Sequence, residues 1–101
     1  MLSEESLRKL QALSNLVSER CGVILGDGTT VEIANVSRNK DAFVFDKFSW
    51  FSLLNSGARV VAIWHTHPYN CKPSEADLET AKRFPYKFLI VTKDDYLWLE
   101  T

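Results

Sequence analysis

Val60-Val61-Ala62-Ile63-Trp64-His65-Thr66-His67-Pro68 decides how this chain is read. Five apolar residues rich in β-branched side chains make the most strand-like segment, and its apolar character on both faces places it centrally. It runs straight into a His-Thr-His-Pro sequence. In a strand, residues two apart project to one side, so His65 and His67 point at a common position. The strand ends there, which is expected to put the pair at an open sheet edge.

Moving outward, Pro68 to Pro73 reads as a loop, and Ser74 caps a short helix running to about Arg83. Asp77 then falls in its first turn, where Ser74-x-x-Asp77 fits a capping box. Phe88–Thr92 and Tyr96–Leu99 read as strands around the Asp94-Asp95 turn. Upstream, Ser3 caps a first helix with Leu7, Leu10, Leu13, Leu16 and Val17 as its apolar stripe, fading near Arg20 to Gly22. Cys21–Leu25 and the segment around Val31 and Ile33 form a hairpin about Gly26-Asp27-Gly28. Ala42–Phe45 reads as a short strand. Asp46–Leu54 reads as a helix with Phe48, Phe51 and Leu54 on one side, ended by Asn55-Ser56-Gly57. Helices interspersed with mostly antiparallel strands give an α+β sandwich, a central mixed sheet flanked by helices.

The chain has 101 residues, enough for one domain spanning 1–101. Twelve basic against thirteen acidic residues leave a net charge of −1, so no basic groove for nucleic acid is indicated. No apolar run is long enough for a membrane-spanning helix. The N-terminus lacks the basic start and apolar run of a signal peptide. Two cysteines are too few for a disulfide scaffold and suit a reducing compartment, so a cytoplasmic location is expected.

Two imidazoles and a carboxylate are three ligands, which for zinc leaves a fourth position for water. Taken singly, each residue also has a plainer role. A histidine at a strand end is commonly a surface residue, Ser74 and Asp77 can simply cap a helix, and Glu19 can be a solvated residue beside Arg20. Other His-x-His enzymes fit poorly. A metallo-β-lactamase-like site needs Asp-His after the pair, where Tyr69-Asn70 stands. An amidohydrolase needs a barrel too large for this chain. Zinc nucleobase deaminases need His-x-Glu and Pro-Cys-x-x-Cys, both missing.

His65-Thr66-His67-Pro68 with Pro73-Ser74-Glu75-Ala76-Asp77 resembles the motif of the JAMM (MPN+, also called JAB) metallopeptidases, His-Ser/Thr-His-Pro followed by Ser-x-x-Asp. Glu19-Arg20-Cys21-Gly22 with the apolar run after it is similar to the family's upstream Glu-x-Cys-Gly. The gap between His67 and Ser74 is six residues, where the family usually has seven. The resemblance implies a cytidine-deaminase-like sandwich and one zinc ion per chain held by His65, His67 and Asp77. It implies Glu19 as general base and Ser74 as oxyanion donor. It implies hydrolysis of a peptide or isopeptide bond in a protein or peptide substrate.

The compact length leaves little room for the insertions with which deubiquitinating members grip ubiquitin. The run Phe84-Pro85-Tyr86-Lys87-Phe88-Leu89-Ile90-Val91 looks like the JAMM domain of phage tail-assembly proteins. Phage tail proteins or a ubiquitin-like protein are therefore the expected partners, in the bacterial host's cytoplasm if the chain is phage-encoded. Tyr69 and Trp64 are candidates to line the substrate groove, although Trp64 fits a core position equally well. Two alternatives stay open. One is an assembly module with a structural zinc site, its fourth position filled by Cys71. The other is a metal-free interaction protein.

Overall fold

The computed structural model describes residues 2–99. Their elements run α1 (Glu4–Ala12), β1 (Cys21–Leu25), β2 (Thr30–Ile33), α2 (Lys47–Asn55), β3 (Val60–Thr66), α3 (Glu75–Arg83), β4 (Lys87–Val91) and β5 (Tyr96–Leu99). The five strands form one sheet in the order β2-β1-β3-β4-β5. All pairs are antiparallel except β3 with β4, which are parallel and joined over the sheet by α3. The expected α+β sandwich with a mixed, mostly antiparallel sheet is thus observed, and the Val60–Trp64 segment is its central strand, extended by two residues to Thr66.

Alternation along the strands divides the core into two layers. Ile24, Ala62, Trp64, Leu89 and Val91 face one side and pack with Leu10 of α1. Val23, Ile33, Ile63 and Phe88 face the other, against Trp50 and Leu53 of α2 and Ala81 of α3. Trp64 is therefore core and lines no groove. Its indole lies over Gly22, where a Cβ would stand 2.0 Å from the Val31 carbonyl oxygen and 2.7 Å from the ring. Gly22 is bare because its neighbours occupy that space.

Two expectations are corrected. The first helix ends at Ala12, not near Arg20, and Leu16 and Val17 are exposed. Asn15 ends it: its Oδ1 accepts from the backbone N–H of Val17 and Ser18, offering the chain a turn in place of further helix. Ala42–Phe45 is not a strand. It touches the hairpin through a single bridge, Asn35 to Phe45. Here Asn35 Oδ1 takes the Val44 N–H and its Nδ2 donates to the Ala42 carbonyl. Phe48, Phe51 and Leu54 share one side of α2 as expected, and that side faces outward, with Phe48 81% exposed. Gly57 stops α2 with a φ of 84°, a conformation open to glycine and strained for other residues.

Candidate metal centre

β3 delivers the two imidazoles. His65 and His67 leave it on the α2/α3 side, and their Nε2 atoms meet at 3.1 Å. The expectation of an open sheet edge is corrected: both rings are buried, His65 completely. Phe43, from the segment after β2, stacks on His65 with ring centroids 4.6 Å apart. That segment closes over what would otherwise be a strand end open to water.

α3 delivers the carboxylate. Ser74 caps it by accepting from the Asp77 N–H, and Asp77 returns the bond by accepting from the Ser74 N–H. The capping box leaves Asp77 free to turn its oxygens inward. Oδ1 lies 3.0 Å from His65 Nε2 and Oδ2 lies 3.0 Å from His67 Nε2. The plain reading of Ser74-x-x-Asp77 as a cap and its reading as part of a site therefore hold together. Ser74 itself is exposed and lines a cleft of about 190 Å³ with Glu19, Asp41, His67, Pro68 and Tyr69.

The stretch between α1 and β1 delivers the fourth group. Glu19 is buried, with Oε2 3.7 Å from His67 Nε2 and Oε1 without a hydrogen-bond partner among the described residues. The donor atoms of Glu19, His65, His67 and Asp77 all lie within 4.8 Å of one another. Tetrahedral zinc with bonds of about 2.0–2.1 Å spaces its ligand atoms about 3.3 Å apart. The imidazole and Asp77 spacings of 3.0–3.1 Å approach that edge. Two imidazole nitrogens converging on each other and on one carboxylate, beside an unpartnered carboxylate oxygen, suit a divalent cation.

The electrostatics follow from burial and these contacts. Burial pushes the Glu19 carboxyl up to about 7, with His67 opposing and Asp77 and Asp41 adding to the rise. Burial would also raise Asp77, but hydrogen bonds from both histidines outweigh it and hold the carboxyl well below its usual range. Burial pulls His65 down, against Asp77. For His67 the balance reverses. Burial lowers it, yet Asp77 and Glu19 together lift it above the usual imidazole value. The Asn70 carbonyl stands 3.1 Å from His67 Nδ1, which fixes that ring for ligation through Nε2. His65 Nδ1 has no such partner among the described residues.

Cys71 stands outside this group. It is buried, and its Sγ donates to the Ile90 carbonyl at 3.6 Å. The structural site closed by Cys71 is therefore not supported by its orientation. Tyr69, expected at the groove, is 79% exposed on the cleft's lip. Asp41 and Phe43 were not singled out from the sequence. They come to the site through the course of the 35–45 segment, for which no local pattern speaks.

The family model for prokaryotic homologs of the JAB domain matches residues 6–100. The chain belongs to this family. The JAB domain's fold recurs in the solution structure of protein DSY2949 from Desulfitobacterium hafniense. The two superpose with a TM-score of 0.74 over 96% of this chain and 79% of that one, at 19% sequence identity. At that identity the likeness speaks for the fold alone. Comparison with curated proteins gives no match. JAB domains include metalloisopeptidases, and the His/His/Asp/Glu cluster of this one is a possible zinc site. Among the described residues no helix is long and apolar enough to cross a membrane.

Proposed function

We propose that this JAB domain is a zinc-dependent hydrolase of peptide or isopeptide bonds. The observation that carries the reading is Glu19: a buried carboxyl raised to about 7, with one free oxygen, beside two imidazoles and an aspartate. A group titrating near neutrality can both take and return a proton at working pH. His65, His67 and Asp77 would hold the ion. Zinc bound there would supply a water of lowered pKa and a Lewis acid for the scissile carbonyl.

Glu19 takes the proton from the attacking water and passes it to the leaving nitrogen. Glu19 and Ser74 line one cleft, from which water and the amide nitrogen would reach the carboxyl. The Ser74 oxygen accepts from the Asp77 N–H, which leaves its own hydrogen to donate to the oxyanion. The substrate classes that the family resemblance favours are phage tail proteins and ubiquitin-like proteins, met in a cytoplasm.

A second reading rests on the 3.7 Å between Glu19 and His67. If Glu19 itself fills the fourth position, the ion is structural and the domain is a binding module. One variant separates the two. As a base, Glu19→Gln keeps one zinc per chain by ICP-MS, with affinity within about tenfold, while hydrolysis falls by a factor of about 10²–10⁴. As a ligand, the same variant loses most of its zinc affinity. Undiminished hydrolysis in Glu19→Gln would refute the role given to it.

A further inference from the structure

Among the described residues, no hydrogen bond holds the Glu19 side chain. His65, His67 and Asp77 hold one another. Glu19 Oε1 has no partner among the described residues, and Oε2 only approaches His67. Nor does Glu19 sit in a helix or a strand, since α1 has ended at Ala12 and β1 begins at Cys21. Its carboxylate must be aimed by the backbone that carries it.

That backbone is fixed from two directions. After Glu19, Arg20 is clasped twice by one residue. The Arg20 N–H donates to Thr66 Oγ1 at 2.8 Å, and the Thr66 N–H donates to the Arg20 carbonyl at 2.8 Å. At Glu19 itself, the carbonyl accepts from Asn35 Nδ2 at 2.8 Å. Thr66 is buried and lies between the two histidines. Alternation sends His65 and His67 to one side of the strand and the Thr66 hydroxyl to the other.

We propose that Thr66 is a positioning residue for Glu19. Its hydroxyl, carried on the strand end that carries both imidazoles, sets the distance of the carboxylate from the ion. Three consecutive residues would thus hold the metal with the outer two and aim the base with the middle one. A second tether, Asn35, acts on the same peptide from the edge of the sheet. The inference rests on the reading of Glu19 as a base, and its test includes a measurement that does not need activity.

Thr66→Val keeps the shape of the side chain and removes the hydroxyl acceptor, whereas Thr66→Ser keeps the hydroxyl. Both are prepared as the zinc-loaded 101-residue chain beside wild type. In Thr66→Val the zinc content is expected to stay at one per chain. The Arg20 amide should exchange its hydrogen about tenfold faster or more by NMR, because its acceptor is gone. On a cleavable peptide or isopeptide, kcat should fall about 10–100-fold with KM within about twofold, the signature of a misplaced catalytic group. Thr66→Ser should restore both.

The cobalt-loaded protein gives the readout without turnover. Thr66→Val should reproduce the change that Glu19→Gln makes in the visible cobalt spectrum, and Thr66→Ser should not. If wild type cleaves no substrate but this pattern holds, the base assignment fails and the positioning stands. Wild-type kcat in Thr66→Val, or loss of its zinc, overturns the proposal. Should Thr66→Val not fold, Thr66→Ala removes the same hydroxyl acceptor with a smaller side chain. A lowered kcat with zinc retained then supports the proposal, and an unchanged one overturns it.

Discussion

Burial at Glu19 has a cost that pH exposes. Its carboxyl is raised from 4.5 to about 7, chiefly because water is excluded. Between those values the folded chain keeps a proton that the unfolded chain has released. The contribution to stability is therefore full below about pH 4.5 and is lost as pH rises through 7. Glu19→Gln removes the loss. In metal-free protein it is expected to be more stable than wild type at pH 8, by about 1–3 kcal/mol, and equal to it at pH 4. Urea unfolding at the two pH values measures this, and equal stability at pH 8 would show that the carboxylate is hydrated. His65, His67 and Asp77 were legible in the sequence because strand alternation and a capping pattern are local rules. Glu19's burial was not, since Glu19 lies outside any helix or strand, in a cleft shared with Asp41 from a segment without a regular pattern.

Among the elements, the β1–β3 pair is the frame of the site, and it is intolerant at one point. Gly22 faces Trp64 in register, and any Cβ there meets a backbone oxygen that cannot step aside. Gly22→Ala is expected to cost more than about 2 kcal/mol in chemical denaturation. Gly26→Ala is the contrast. Its Cβ would come within 3.2 Å of the flexible Arg59 side chain, so a cost under about 1 kcal/mol is expected. Similar costs would mean that the packing of Trp64 is slack. Strands and turns were read correctly where alternation and glycine turns marked them. Helices were read less well. The leucine stripe of α1 runs on in sequence past Ala12, but Asn15 takes the next backbone donors for itself. For α2, periodicity told that Phe48, Phe51 and Leu54 share a face, not whether that face turns inward. Trp50 and Leu53, on the opposite side, are the ones that pack.

For the molecule as a whole, the metal is expected to be part of the stability. An ion that binds only the folded chain adds about 2.7 kcal/mol at a free concentration 100 times its Kd. For a chain of this length that corresponds to a rise in Tm of roughly 10–20 °C. Thermal unfolding with zinc and with EDTA should show that difference in wild type and lose it in His67→Ala. A Tm indifferent to zinc would refute the site. The overall architecture was readable because element order and the two separated motifs agree. The parallel pairing of β3 with β4 has a further consequence. Asp77 reaches the histidines only because α3 is laid across the sheet between those two strands. α3 is held down in turn by its return into β4. Glu19 and Asp77 have no local means of meeting, and closing the long stretch between them is entropically costly. A nascent chain on the ribosome, synthesised through Arg83 but not yet through Val91, therefore carries all four donors and no site. Metal binding at this site is therefore expected only once β4 has joined the sheet.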